Sequence, residues 1–284
     1  MTACETAIPL GKFAKVHGGA LNFHYHEFGT PSPDRPSLLF LHGSGPGASG
    51  YSNFRHNWPC MVEAGYHALV VDYMGFGYSD KPVDFAYANP VQVAILNEFL
   101  EQRGIAKVVP IGNSLGGYLS LQLALTHPDK VAKLILMAPG GIEEVPLWIG
   151  DSAGLKAMAA AVNSNVPFDR DNFRQLLKLI VKDEAHLTDQ VISERLPIAQ
   201  AQPKEVWTTQ EFTRISHRLG EIEVPVLGFW GYHDQFLPAR HAMIMQSEIP
   251  DCRVILSNRA GHWFMIEESD LFNDACLRFL DERE

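Results

Sequence analysis

The 284-residue sequence has no run of lysine or arginine, no apolar stretch near the ~18 residues of a membrane-spanning helix, and no pair of cysteines at C-x-x-C spacing. Each absence removes a class of function. With a net charge of −10 and no basic patch, the electrostatic footprint for nucleic acid or anionic membrane is missing. Cys4, Cys60, Cys252 and Cys276 lie far apart, so neither a disulfide framework nor a zinc site is signalled, and the four read as reduced thiols. The 12 histidines include no H-E-x-x-H and no clustered His/Asp pattern, so no metal and no cofactor is expected. The opening MTACETAIPLGKFAKV lacks a secretory apolar core, which points to a soluble, cytoplasmic protein. Low-complexity tracts and repeats are also missing, and 46% hydrophobic with 20% charged residues is ordinary globular composition.

What is present alternates. Short apolar runs occur at SLLFLHG (37–43), HALVVDY (67–73), KVVPIGN (107–113), KVAKLILMAP (130–139), VPVLGFWG (224–231) and CRVILSNRAG (252–261), each a candidate buried strand. Helical patterns lie between or after them: PVQVAILNEFLEQRG stopped by Gly104, LGGYLSLQLALTHP ended by Pro128, and SDLFNDACLRFLDERE at the C-terminus. This alternation predicts an α/β fold, a mostly parallel sheet with helices on both faces. Before it, KFAKVHGGALNFHYHEFG predicts an antiparallel hairpin turning at His17-Gly18-Gly19. From Ala138 to Val226 about 87 residues intervene between consecutive strands, far more than one crossover needs. Their patterns (GLKAMAAAV, DRDNFRQLLKLIVK, TDQVISERLPIAQA and TTQEFTRISHRL, the last with Thr208 and Glu211 at capping-box spacing) predict a helical cap over residues 141–212, inserted after the sixth strand. The core then comprises residues 1–140 and 213–284.

Two glycine motifs compete for the chemistry. Gly45-Pro46-Gly47-Ala48-Ser49-Gly50 matches G-x-G-x-x-G, and Asp72 stands 22 residues past Gly50, where a dinucleotide-binding fold keeps its ribose acid. The match is poor in context, because Pro46 and the polar YSNFRHNW suit the start of a phosphate-binding helix badly. The second motif, Gly112-Asn113-Ser114-Leu115-Gly116, is a G-x-S-x-G between a strand and a helix, the setting in which a nucleophilic serine is lifted above the sheet. A serine hydroxyl needs a base and an orienting acid, in the chain order Ser, Asp, His. Asp234 in FWGYHDQFLP and His262 in NRAGHWF each follow a strand, where an α/β sheet gathers its site. His217, His233 and His241 read as surface histidines. Asp72 is an alternative acid, although VVDYMGFGYSDKP suggests that it anchors its own loop. An oxyanion needs two backbone donors, and the amides of Leu115 and of Ser44, in the His42-Gly43-Ser44 loop, stand where they are required.

With these residues placed, the chain resembles the α/β-hydrolase superfamily over nearly its whole length, and more narrowly the meta-cleavage product hydrolases, which cut a carbon–carbon bond in 2-hydroxy-6-oxo-hexa-2,4-dienoates. HGSGPGASGYSNF is similar to the family's His-Gly-x-Gly-Pro-Gly-Ala stretch with its aromatic-x-Asn ending, here Tyr51-Ser52-Asn53. GNSLGG matches the nucleophile motif, LTDQVISERLPIAQAQPKEV the arginine-bearing cap helix, and GHWFMIEE the histidine loop followed by tryptophan. The resemblance implies an α/β-hydrolase fold, Ser114, Asp234 and His262 as catalytic residues, and Gly45, Asn53, Asn113, Arg195 and Trp263 around the substrate. Two positions depart from the common pattern: Leu115 replaces a frequent methionine and Ser44 a frequent glycine.

The implied chemistry is a ketonisation that protonates C5, followed by attack at the C6 ketone and cleavage of the C5–C6 bond. Covalent attack by serine and attack by base-activated water are both compatible with the residues. A carboxylesterase or lactonase with the same triad, or a slow ligand receptor on the hydrolase fold, is the alternative. Haloalkane dehalogenases and epoxide hydrolases carry aspartate where Ser114 stands. The expected partner is a small dienoate substrate, with a homodimer as the default assembly.

Overall fold

The computed structural model describes residues 10–144, 149–164 and 166–282. Cys4, most of the opening segment and residues 145–148 and 165 of the expected cap lie outside the described residues. Strands β1 (Lys12–Val16) and β2 (Leu21–Phe28) form the antiparallel hairpin, with His17 at φ 56° and Gly18 at φ 66° in its turn. The apolar runs become β3 (Ser37–Leu41), β4 (Ala68–Val71), β5 (Val108–Asn113), β6 (Leu134–Met137), β7 (Val226–Gly231) and β8 (Cys252–Ser257). Strands β3 to β7 are buried along their whole length, as unbroken apolar runs require when helices cover both faces. β8, at the edge, alternates between exposed and half-buried residues.

The sheet order is β1-β2-β4-β3-β5-β6-β7-β8, parallel from β4 onward and antiparallel at the hairpin and its junction with β4. Chain direction across the sheet reverses between β3 and β5, which pair directly from Ser37 with Val108 to Leu41 with Gly112. That reversal opens a crevice beyond the C-terminal ends of the two strands, where an α/β sheet binds its ligand. The loops leaving β3 and β5 are the two that carry Ser44 and Ser114.

Helices α1 (Gly50–Phe54) and α2 (Trp58–Glu63) follow β3, and α3 (Asn89–Gln102) follows β4, closing on Gly104 at φ 65°. α4 (Leu115–Thr126) follows β5; from Leu115 to Ala124 it is buried on every side, because it lies beneath α3 and against β3, β5 and β6. Between β6 and β7 come α5 (Ala153–Asn163), α6 (Arg170–Leu177), α7 (Asp189–Ala201) and the short α8 (Glu205–Thr208). Ser152, Asp169 and Thr188 cap the first three by accepting from backbone amides, Asp169 in a full capping box with Asn172. α9 (His241–Glu248), α10 (Phe264–Glu267) and α11 (Ser269–Asp281) complete the chain. Cys60, Cys252 and Cys276 are free thiols. Among the described residues no helix is long and apolar enough to cross a membrane.

One expected helix does not form. The sequence TTQEFTRISHRL predicts a helix capped by Thr208, yet Thr208 ends α8, residues 210–215 are irregular, and Ser216–Glu221 is a 3₁₀ turn. The core claims the polar groups a helix would have used. Asn89 Nδ2 donates to the Glu211 carbonyl at 3.0 Å, Tyr118 Oη to the Thr213 carbonyl at 2.7 Å, and the Tyr87 amide to Thr209 Oγ1 at 2.9 Å. Local capping signals lost to these tertiary bonds.

The sharp entry to α4 sets a steric test. A Cβ on Gly116 would stand 2.0 Å from the Leu41 carbonyl oxygen and 2.7 Å from that of His42, both backbone atoms of the strand beneath. Gly116→Ala is therefore expected to destabilise the protein by about 3 kcal/mol or more. Gly220→Ala is the control, because its nearest neighbour would be 3.7 Å away. Equal urea midpoints for the two variants would show that α4 does not press on β3.

Candidate active site

Ser114 occupies the turn between β5 and α4 at φ 56°, ψ −113°, a conformation that costs a non-glycine residue energy and persists only where its surroundings fix it. The fixing bonds are backbone ones: the Ser114 amide donates to Met137 O at 2.9 Å, and its carbonyl accepts from Tyr118 and Gly140. A serine at a helix start ordinarily turns its hydroxyl back to cap the first turn. Ser114 makes no such bond, so its hydroxyl remains available to the crevice.

Asp234 and His262 arrive from the loops after β7 and β8. Asp234 Oδ1 accepts from the amides of Phe236 (2.7 Å) and Leu237 (2.9 Å), which fixes the carboxylate, and Oδ2 meets His262 Nδ1 at 2.7 Å. The Asp234 side chain is fully buried and that of His262 is 7% exposed. With Nδ1 as the donor to the carboxylate, Nε2 is left as the basic nitrogen. The Phe236 ring lies over the imidazole with centroids 5.0 Å apart, and the His262 amide donates to Ile180 O at 2.8 Å. Ser114 and His262 line the same cavity, but no hydrogen bond joins them. Such contacts often tighten only on substrate binding.

The loop after β3 is held from within. His42 is fully buried; its Nδ1 donates to Gly43 O at 2.7 Å and its Nε2 accepts from the Tyr73 amide at 3.3 Å. Burial pushes its pKa down to about 4, against the opposing pull of Asp72, so the ring is neutral. Gly43 abuts Ser114 and Asn113. The Ser44 and Leu115 amides have no hydrogen-bond partner among the described residues, and both residues line the cavity beside Ser114.

Arg195, on α7, is 1% exposed, yet no carboxylate lies within ion-pair distance of it among the described residues. Its guanidinium donates to Pro46 O at 3.0 Å and Asn53 Oδ1 at 3.4 Å, stands 4.8 Å from the Trp263 ring centroid, and leaves Nε without a partner. Burial, then the nearby Arg55 charge, lowers its pKa to about 9, so it stays protonated at neutral pH. Asn53 Nδ2 approaches Asn113 Oδ1 at 3.5 Å. Asn113 was expected to offer its amide to the substrate, but Nδ2 is turned to the carbonyls of Met137 and His262, both at 3.3 Å. Gly45, Asn53, Asn113, Ser114, Arg195, His262 and Trp263 together line a narrow cavity of about 30 Å³. It adjoins a cavity of about 490 Å³, and Ser44, Ser114, Leu155, Met158 and Phe236 belong to both. Among the described residues no three His, Cys, Asp or Glu side chains gather so as to hold a metal ion.

Asp72 does not approach His262. Its Oδ1 accepts from the Gly50 amide at 2.7 Å, and its Oδ2 accepts from the Tyr78 amide at 2.9 Å and meets His24 Nδ1 at 2.8 Å. The loop that matched a nucleotide motif is likewise filled by protein. Gly47, at φ 70°, donates to Gln202 Oε1 at 2.8 Å, and a Cβ there would stand 2.2 Å from Arg195 O. Three further positioning residues are visible only in the structure. Glu267 accepts from the amides of Gly261 (2.6 Å), Lys182 (2.7 Å) and Asp183 (2.9 Å), joining the histidine loop to the segment after α6. Gln202 bridges Gly47 and the Gly75 carbonyl, and Trp207 Nε1 donates to Ser44 O at 2.7 Å. The second glutamate-bearing half of GHWFMIEE was the available signal for Glu267; nothing local marks the other two.

Residues 36–190 match the family model described as alpha/beta hydrolase fold. A 2-hydroxy-6-oxononadienedioate/2-hydroxy-6-oxononatrienedioate hydrolase of Pseudomonas putida is 30% identical, aligned over 95% of this chain and 96% of its own length. A 2-hydroxy-6-oxo-6-phenylhexa-2,4-dienoate hydrolase of Comamonas testosteroni is 29% identical over 96% of each chain. Among solved structures, a meta-cleavage product hydrolase of Pseudomonas fluorescens IP01 superposes with a TM-score of 0.82 at 25% identity, covering 95% of this chain and 97% of that one.

The neutral His42 makes a pH prediction. The folded state refuses a proton that the unfolded chain takes up near 6.5, so stability is present above 6.5 and declines as pH falls toward 4. This one residue is expected to remove about 3 kcal/mol across that interval. Its ring resonances should stay unprotonated down to about pH 4 in the folded protein. A His42 signal titrating near 6.5 would contradict the burial argument.

Proposed function

The chain belongs to the α/β-hydrolase fold family, and from that premise we propose that it is a C–C bond hydrolase acting on a 2-hydroxy-6-oxo-hexa-2,4-dienoate-type meta-cleavage product. The observation that carries the reading is the buried, carboxylate-free guanidinium of Arg195, which faces the same cavity as Ser114 and His262. A cation desolvated without a counter-ion is unfavourable unless a ligand supplies the charge. A neutral ester would not supply it, whereas a dienoate carboxylate and its 2-oxygen would. The named activities of the relatives support the same substrate class.

In this reading the dienoate carboxylate enters the narrow cavity beside Arg195, with Asn53 and Gly45 around it and Trp263 as the wall. The C6 ketone then lies at Ser114, and the C6 substituent passes into the larger cavity. His262 and Arg195 assist ketonisation, with the enol proton delivered to C5. Ser114, deprotonated by His262 Nε2 with Asp234 holding Nδ1, attacks C6, and the Ser44 and Leu115 amides take the oxyanion. The C5–C6 electrons leave as a dienolate, and water releases the acid that carries the C6 substituent. Asn113, by bonding the His262 carbonyl, positions the base. Residues 141–212 act as the lid, its helices tied to the core loops by Trp207, Gln202 and Glu267. A cytoplasmic setting and a symmetric dimer complete the reading.

The test is optical. The yellow dienolate of a ring-fission product should bleach on mixing with the enzyme, and Ser114→Ala should lower that rate by ~10³-fold or more. Full bleaching by Ser114→Ala would remove the serine from the chemistry; release from a nitrophenyl ester with no bleaching would make the protein an esterase.

Arg195→Gln separates the cation's role. Dienoate kcat/KM is expected to fall by ~10²-fold or more, while nitrophenyl ester cleavage stays within about threefold. Equal losses on both substrates would leave Arg195 a structural residue.

A further inference from the structure

The larger cavity has a definite chemistry. One face of α5 presents Leu155, Met158, Ala159 and Val162, at the i, i+3, i+4, i+7 spacing of a helical stripe, and Phe236 and Leu237 face it from the loop after β7. At about 490 Å³ the space far exceeds what a methyl group fills. The lining contains no lysine, arginine or histidine among the described residues; its polar members, including Asn163, Thr208 and Gln210, are neutral. Nearby cations are engaged elsewhere. Lys156 donates to Gly150 O, Arg214 pairs with Glu144, and Arg240 with Asp151 and Glu143. Arg195 lines only the narrow cavity.

Several relatives are named for dienedioates, molecules whose chain ends in a second carboxylate three carbons past C6. Bound with C6 at Ser114, such a chain would place that carboxylate inside the apolar space with no cation to meet it. A charge desolvated in this way is strongly disfavoured, and neutral amide or hydroxyl donors offset only part of the loss. The net charge of −10 adds no compensating field. Resting on the hydrolase reading above, we propose that this enzyme selects an uncharged aryl or larger apolar C6 substituent and rejects dienedioates.

Three substrates given to the purified full-length enzyme test this: the 6-phenyl dienoate, its 6-methyl analogue and 2-hydroxy-6-oxononadienedioate. The expected order of kcat/KM is phenyl, then methyl, then dioate, with phenyl exceeding methyl by about tenfold and dioate by ~10²-fold or more. Ala159→Phe, which fills the space, should depress the phenyl substrate at least tenfold more than the methyl one. Val162→Arg, which adds the missing cation, should move the dioate-to-phenyl ratio upward at least tenfold. A wild-type enzyme that handles the dioate as well as the phenyl substrate overturns the proposal. Ester cleavage with none of the three dienoates consumed would bring down the C–C hydrolase reading, and this proposal with it; turnover of the dienoates in the wrong order sinks the specificity claim alone.

Discussion

A guanidinium held away from water without a carboxylate is the constraint around which the site is organised. Arg195 is 1% exposed, and its charge is met by a backbone carbonyl, an amide oxygen and the face of an indole, with one nitrogen left over. Each of those groups belongs to a different part of the chain: Pro46 to the loop after β3, Asn53 to α1, Trp263 to the histidine loop. Arginine suits this role because it is less strongly hydrated than lysine and offers a planar fork and a stackable face. The cation thus ties α7 to the core and brings a positive charge to the cavity that Ser114 lines. Desolvation of this kind strengthens the attraction between opposite charges.

The histidine loop shows how closely the inserted helices and the core are coupled. Its backbone bonds to Ile180 O through His262 and Trp263, and Glu267 gathers amides from both sides of the junction. Burial raises the Glu267 pKa, opposed by its three backbone donors. Asp234 and Phe236 fix the imidazole ring, while the segment after α6 fixes its backbone. Ser114 is placed by β5, β6 and Gly140, and its neighbour Asn113 joins that turn to the histidine loop through the His262 carbonyl.

Much of this was legible in the sequence because the signals were local and periodic. The buried strands read as apolar runs because two helical layers leave no polar face, and α4 read as the largely apolar stretch LGGYLSLQLALTHP ended by Pro128. The placement of Ser114, Asp234 and His262 at one end of the sheet was readable because strand ends in a parallel sheet converge on one edge. What could not be read were bonds made across long sequence separations. Thr208 and Glu211 had the right spacing for a capping box, but Tyr87, Asn89 and Tyr118 hold that segment in another shape. Gln202 and Trp207 carry no local signature because their partners, Gly47, Gly75 and Ser44, lie more than a hundred residues earlier. Asn113 was placed correctly in the turn, while the direction of its amide depended on the His262 carbonyl far along the chain.

The glycine-rich loop after β3 shows why a pattern match must be followed to its protons. A dinucleotide site works when the first amides of the following helix point at a pyrophosphate and an acid two strands' length away receives the ribose. Here the glycines and the acid are both present at nearly the right spacing, but they bond to each other. Gly50 spends its amide on Asp72, Ser49 and Ser52 close a capping box across the next turn, and Gly47 gives its amide to Gln202. The amides of Gly43, Ser44 and Gly45 are left without a partner among the described residues, and Ser44 lines the cavity beside Ser114. The loop's flexibility of sequence therefore serves close approach of α7 on one side and a free donor on the other. The chemistry of a glycine-rich turn is set by which of its amides the rest of the protein leaves unbonded.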